Sequence, residues 1–154
     1  MDKEISERNK TARLAGLLYV LLVLSGIIYL VYIPSTLIDW QDASKTFENI
    51  KNSIPLFKIG ILVAICSFLI FTILPLVLFK LLSSINKSAT FLMVLFALIS
   101  IPVSFVNILN KFSILSLLKD NQSNLRVDGL EEQIMFYLEQ YSNGLEVLQI
   151  FWGL

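Results

Sequence analysis

The stretch from Ile59 to Phe79 reads IGILVAICSFLIFTILPLVLF and contains no charged residue. A helix needs about 20 predominantly apolar residues to cross the hydrocarbon core of a bilayer, and this stretch is long enough. A buried strand usually has only about 4–8 residues, so the stretch is too long to be one strand. It therefore predicts a transmembrane helix.

Two further stretches share this length and this lack of charge, from Leu14 to Ile38 and from Ser88 to Asn110. Three such stretches in a chain of 154 residues are typical of an integral membrane protein. The first is too long for the apolar core of a signal peptide, which has about 7–15 residues, and no small-residue cleavage site follows it. We interpret it as a retained helix that ends near Pro34, because proline disrupts a helix interior.

The composition argues against several classes of function. The chain has no histidine and one cysteine, Cys66, so it lacks the commonest general base and the residues for a Cys-pair metal site or an internal disulfide. Its formal net charge is zero, and no basic cluster indicates binding to nucleic acid. Nucleotide-binding and metal-hydrolase motifs are absent from the sequence. We therefore assign no cofactor, no metal and no catalytic residue.

The segment between the first two apolar stretches has the pattern of an amphipathic helix. Trp40, Phe47, Ile50 and Ile54 recur at helix-like spacing among acidic and basic residues. Helices of this kind can lie in the membrane interface with their apolar face buried. We predict a short interfacial helix over residues 40–53; the alternative is a solvated loop with a few apolar anchors.

The turn between the second and third stretches favours one orientation in the membrane. It reads KLLSSINKSAT, from Lys80 to Thr90, and contains two lysines and no acid. Short loops rich in Lys and Arg tend to remain on the cytoplasmic side. The same orientation places the basic N-terminus in the cytoplasm.

The chain ends in MFYLEQYSNGLEVLQIFWGL, from Met135 to Leu154, which has helical spacing of apolar residues but carries two carboxylates. Gly129 interrupts the polar connection before it, and Glu131 and Glu132 suit the first turn of a helix. We predict a fourth transmembrane helix here. The sequence thus predicts an all-α integral membrane bundle, one domain over residues 1–154, with spans at about 12–33, 57–82, 88–118 and 132–154.

Polar residues form a stripe on the third predicted span and another on the fourth. At 3.6 residues per turn the stripes consist of Ser100, Ser104, Asn107 and Lys111 on the third span, and of Glu139, Ser142, Asn143, Glu146 and Gln149 on the fourth. A charge that faces hydrocarbon costs at least about 2.5–3.5 kcal/mol on insertion scales, so both stripes should face protein or water. Antiparallel neighbours place Lys111 and Glu139 at similar depth. We therefore predict a Lys111–Glu139 ion pair, with Asn107 or Ser104 near Glu146.

These stripes allow three interpretations. In the first, the protein is not an enzyme and the stripes bind a small molecule, a lipid head group or an ion, although for the Ser and Asn residues we favour a role in helix packing. The candidate binding residues are Ser104, Asn107, Lys111, Glu139, Asn143 and Glu146. In the second, an enzyme acts on a lipid-soluble substrate with Glu139 or Glu146 as the base. In the third, the polar residues hold helices together in a structural or partner-binding subunit.

Four stretches, in this order along the chain, resemble a bacterial multi-pass membrane family catalogued as domain of unknown function 4386. They are ARLAGLLYVLLVLSGI at 12–27, ENIKNSIPLFKIGI at 48–61, LFKLLSSINKS at 78–88 and YSNGLEVLQIFWGL at 141–154. The resemblance implies a bacterial cytoplasmic membrane protein, with the lipid bilayer as its surroundings and no known activity. Its oligomeric state stays open.

Members of that family look like six-helix proteins. The resemblance therefore implies that this chain is the N-terminal part of a longer protein, cut inside its fourth helix; a complete short protein is the alternative. The chain departs from the family at Asn143, where members typically have an aromatic residue or histidine.

We predict that the N-terminus and Lys87 lie in the cytoplasm and that Asp42 and Asp128 lie outside, because the basic turn should stay inside. In a Cys66→Ser background, Asp42→Cys and Asp128→Cys should react in intact cells with a thiol reagent that does not cross the membrane. Lys87→Cys should react only after the cells are opened. Labelling of Lys87→Cys in intact cells would mean that the protein has the opposite orientation to the one predicted.

Overall fold

A computed structural model describes the backbone of residues 2–122 and 129–152 and the side chains of residues 5–119 and 129–150. In this part of the chain every regular element is a helix, as predicted. The elements are α1 (Asp2–Gly26), a π-helical segment (Ile27–Tyr32), α2 (Ile33–Leu37), α3 (Ala43–Asn52), α4 (Ile54–Leu82), α5 (Lys87–Gln122) and α6 (Leu130–Trp152). The predicted outer position of Asp128 and the last two residues of the fourth predicted span, 153–154, lie outside the described residues.

Three helical stretches are long and apolar enough to cross a membrane: Ile5–Leu37, Ile54–Leu82 and Lys87–Lys119. They correspond to the first three predicted spans. In the described part of the chain, α6 is not among these candidates. Its sequence contains four glutamates, which lower its mean hydropathy.

The first helix continues past Pro34, so the expectation that proline closes it was wrong. The π-helical segment leads directly into α2, where Pro34 lies in the first turn. Pro34 therefore lies within a continuous helix, next to a π-type turn in which the N–H of Ile33 bonds to the carbonyl of Ile28. Local π adjustments of this kind let a membrane helix accommodate a proline. The helix ends instead at Leu37, and the backbone of Ile38 is extended (φ −109°, ψ 121°).

The long helices pack in chain order: α1 contacts α4, α4 contacts α5, and α5 contacts α6. The main apolar cluster lies where α2, α3 and the first turns of α4 and α6 meet the last turns of α5. Its most deeply buried side chains include Leu37, Ile50, Ile114 and Ile134. A smaller cluster, formed by Ala15, Leu74 and Val77, joins α1 to α4.

The amphipathic segment forms the predicted helix, although it is shorter than residues 40–53. Asp42 caps α3, because its Oδ1 accepts a hydrogen bond from the backbone N–H of Lys45 at 2.9 Å. The buried hydroxyl of Thr46 donates to the carbonyl of Asp39 and accepts from its N–H, at 2.9 and 2.8 Å. The Ser44 hydroxyl also bonds to the Glu131 carboxylate, so α3 is tied to the start of α6.

Gly129 directly precedes the last helix, as its position in the sequence predicted. Its φ is +68°, a left-handed conformation that glycine adopts without steric cost. Glu131 and Glu132 then occupy the first turn of α6.

We predict that Gly144→Ala destabilises the contact between α5 and α6. A Cβ atom at Gly144 would overlap the side-chain amide of Asn107, whereas a Cβ atom at Gly16 in α1 would meet nothing within 4 Å. Overpacking typically costs about 1–3 kcal/mol, which should exceed the gain in helix propensity of about 1 kcal/mol. Gly16→Ala, the control, should be neutral or stabilising.

Thermal unfolding of both variants in detergent measures the difference. Adding Asn107→Ala to Gly144→Ala should recover part of the lost stability, because it removes the overlapping atoms. Equal stability of Gly144→Ala and Gly16→Ala would contradict a close approach of the two helices at this point.

Candidate functional site

The polar stripe of α5 is buried in the structure. Ser100, Ser104, Asn107 and Lys111 have exposed fractions of 0%, 2%, 7% and 4%. The Ser104 hydroxyl donates a hydrogen bond to the carbonyl of Ser100 at 2.9 Å, one turn earlier in the same helix. This intrahelical bond satisfies Ser104 without help from another helix.

Asn107 joins α5 to α6. Its Nδ2 donates a hydrogen bond to the backbone carbonyl of Tyr141 at 2.9 Å, and its Oδ1 accepts one from Nδ2 of Asn110 at 3.3 Å. Gly144 leaves the space that the Asn107 amide occupies. The amide therefore fixes the position of one helix against the other.

Lys111 places its ammonium group over an aromatic ring of α6. The Nζ atom lies 4.1 Å from the centroid of the Tyr141 ring. A desolvated contact of this kind contributes about 2 kcal/mol. The ion pairs found among the described side chains join Lys10 to Glu7, Lys45 to Asp39 and Lys51 to Glu48, and none of them includes Lys111.

The carboxylates of the α6 stripe are exposed and do not pair with Lys111, so the predicted Lys111–Glu139 ion pair was wrong. Glu139, Asn143 and Glu146 are exposed, while α6 is buried along Ile134, Leu138, Tyr141 and Leu148. The packing of this apolar face against the rest of the bundle fixes the rotation of α6. Glu146 also makes no hydrogen bond with Asn107 or Ser104, whose amide and hydroxyl groups donate to backbone carbonyls. Whether the six candidate residues bind a ligand stays a prediction.

A cavity of about 160 Å³ lies beside Lys111. Its wall is built from the π-helical segment, α2, the loop after α2, α5 and α6. The residues of most chemical interest in this wall are Tyr29, Trp40, Lys111, Tyr141 and Ser142. The volume is similar to that of an engineered cavity of about 150 Å³ that accepts benzene, so a small molecule of ring size can fit.

The hydroxyl of Tyr141 is buried and has no hydrogen-bond partner among the described residues. More than about 90% of buried polar groups in proteins have such a partner, and leaving one unsatisfied costs about 1–3 kcal/mol. Tyr141 lines the same cavity as Lys111. The unpartnered hydroxyl of Tyr141 and the ammonium group of Lys111 therefore line the same cavity.

Sequence reasoning missed Tyr141, Trp40 and Tyr29. Helical periodicity placed Tyr141 on a different face of α6 from the acidic stripe, and only the stripe was considered as a site. Trp40 and Tyr29 come from segments distant in sequence from α6, and no local pattern connects them to it. One signal was available: Tyr141 follows Glu139 by two residues in the sequence, so it was expected at nearly the same membrane depth as Lys111.

Asp39 lies next to two residues of the cavity wall, but another cation already neutralises it. The Nζ atom of Lys45 lies 2.9 Å from Oδ2 of Asp39. The hydrogen bond from Lys45 holds the pKa of Asp39 below its usual value, and the same bond raises the pKa of Lys45. Both groups are therefore charged at neutral pH, and Asp39 balances Lys45 rather than Lys111.

A search of the described residues finds no group of three or more His, Cys, Asp or Glu side chains that could hold a metal ion. The polar groups of the cavity wall are the ammonium group of Lys111, the indole N–H of Trp40 and the hydroxyls of Tyr29, Tyr141 and Ser142.

Comparison with known proteins identifies a family but no activity. A family model described as "Domain of unknown function (DUF4386)" matches residues 14–154, in agreement with the resemblance seen in the sequence. Neither a curated protein nor a solved structure gives a significant match.

We predict that Tyr141→Phe leaves the free energy of unfolding unchanged or raises it by up to about 1 kcal/mol. The substitution keeps the ring beneath Lys111 and removes a hydroxyl that pays a desolvation cost without a bond in return. Tyr137→Phe, at a half-buried position of the same helix, is the matched control. Equilibrium unfolding in detergent measures both. A loss above about 1 kcal/mol for Tyr141→Phe alone would mean that the hydroxyl has a structural partner.

Proposed function

Because the chain belongs to the DUF4386 family, whose description names no activity, we propose its function from the cavity: it is a multi-pass membrane protein that binds a small polar ligand beside Lys111. One observation carries this proposal. The ammonium group of Lys111 and the hydroxyl of Tyr141 line one cavity, and this hydroxyl has no hydrogen-bond partner among the described residues.

The hydrogen-bonding capacity of Lys111 supports a ligand. An ammonium group has three N–H donors, and the ring of Tyr141 covers only one side of it. A buried charge without hydrogen bonds is costly, so the remaining donors favour a bound group that can accept them. The serines of α5 give no comparable support, because Ser104 is already satisfied within its own helix.

The proposal includes a fourth membrane span formed by α6 and a position in the bacterial cytoplasmic membrane with the N-terminus inside. Lys111 lies eight residues before Lys119, where the third candidate span ends, and at about 1.5 Å per residue this is about 12 Å from that end. With the N-terminus inside, the cavity lies in the outer half of the bilayer.

If α6 spans the membrane, its exposed glutamates must face something other than hydrocarbon. A carboxylate that faces hydrocarbon costs at least about 2.5–3.5 kcal/mol, so Glu139 and Glu146 would meet water or another protein surface. An enzyme that uses either of them as a base has less support, because neither lines the cavity.

Three probes test whether the cavity binds a ligand. Benzoate, benzamide and benzylammonium share a ring that suits the cavity volume and differ in charge. At a concentration of ten times its dissociation constant, a ligand that binds only the folded state adds about 1.4 kcal/mol to the free energy of unfolding. We predict that at least one probe stabilises the purified protein in a saturable manner.

A cavity-filling variant supplies the control for location. Leu145→Trp places a large side chain at the cavity wall and should abolish the stabilisation. Val147→Trp adds the same side chain at an exposed position of α6 and should preserve it. The proposal fails if no probe stabilises the protein, or if stabilisation is equal in Leu145→Trp and Val147→Trp.

A further inference from the structure

The geometry of the cavity points to the class of its ligand, an inference that rests on the proposed function. We propose that the ligand carries an anionic oxygen group, a carboxylate or a phosphate, which Lys111 and Tyr141 hold at one end of an apolar body. Three properties of the cavity support this: its charge, its hydrogen-bond donors and its apolar wall.

The charge of the cavity is positive. Within the described part of the chain, its wall contains one charged side chain, Lys111, and no carboxylate. The nearest acid along the chain, Asp39, is paired with Lys45, and Glu139 is exposed on another face of α6. A buried charge without a counter-charge is strongly destabilising. An anion would offset this cost, a neutral ligand would leave it, and a cation would add to it.

The polar groups of the wall suit a group that only accepts hydrogen bonds. Lys111 can only donate, and the Tyr141 hydroxyl has its proton free for a ligand. Ser142 adds another hydroxyl to the wall. An ionised carboxylate or phosphate has several acceptor oxygens and forms stronger hydrogen bonds with these donors than a neutral carbonyl does.

The rest of the wall is apolar. It includes Leu30, Pro34, Ile38, Leu138 and Leu145. An inorganic anion would leave this surface uncovered, whereas an amphiphilic anion matches both the charge and the apolar side chains. Such an anion can come from a free organic acid or from the head group and first carbons of an anionic lipid.

Calorimetric titration compares benzoate with benzamide, its neutral isostere. A Trp152→Phe background leaves Trp40 as the only tryptophan, and Trp40 lines the cavity, so a shift in its emission reports occupation of this site. We expect benzoate to bind at least about tenfold more tightly than benzamide, because its bonds to Lys111 are charge-assisted. Benzylammonium should not bind. The calorimetric comparison uses the unaltered protein, and only the emission measurement needs the Trp152→Phe background.

Three substitutions locate the anion. Lys111→Met should weaken the binding of benzoate at least about tenfold and the binding of benzamide less than about threefold. Tyr141→Phe should weaken the binding of benzoate about two- to tenfold, which is the effect of losing one hydrogen bond. The stability of the protein should not fall. Lys58→Met removes an exposed lysine of α4 that does not line the cavity and should leave benzoate affinity unchanged.

Nanodiscs distinguish the two sources of the anion. If an anionic lipid occupies the cavity, benzoate should bind more weakly in phosphatidylglycerol nanodiscs than in phosphatidylcholine nanodiscs, because the lipid competes. Equal affinity in both kinds of nanodisc assigns the cavity to a free anion.

If benzoate and benzamide bind with equal affinity and Lys111→Met changes neither affinity, the anionic inference is overturned and the proposed function stands. If none of the three probes binds, the proposed function itself is overturned.

Discussion

Lys111 brings a positive charge into the interface between α5 and α6, where its side chain is 4% exposed. A charge in such a place needs a partner, and the one that the fold supplies is the face of the Tyr141 ring. The neighbouring Asn107 amide bonds to the carbonyl of Tyr141, so the same residue is held by both its backbone and its ring. Gly144 makes this possible, because a side chain there would overlap the amide.

The contact between Lys111 and Tyr141 also explains where the cavity forms. The π-helical segment and α2 contribute Tyr29 and Pro34 to the cavity wall, and the loop before α3 adds Trp40. Hydrogen bonds from Thr46 and Ser44 hold that loop and α3 against the start of α6. The wall therefore comes from distant parts of the chain, which meet around a lysine that pairs with none of the described carboxylates.

The sequence predicted the elements better than their mutual orientation. The uncharged stretch from Ile59 to Phe79 predicts α4 from length alone, and Gly129 followed by two acids predicts the start of α6. Helical periodicity states which residues share a face, but not which face meets a neighbour. Packing of Leu138 and Leu148 decided the rotation of α6, and this brought Tyr141 rather than Glu139 to Lys111. The π-helical segment had no recognisable sequence signal.

Double-mutant cycles on protein stability test the placement of Lys111 most directly. The first cycle combines Lys111→Met with Tyr141→Leu, and the second combines Lys111→Met with Glu139→Gln. The structure predicts a coupling of about 0.5–2 kcal/mol in the first cycle, because the ammonium group contacts the ring. It predicts additivity within about 0.3–0.5 kcal/mol in the second, because Glu139 faces away from Lys111. Additivity with Tyr141 together with strong coupling to Glu139 would contradict the arrangement of α5 and α6.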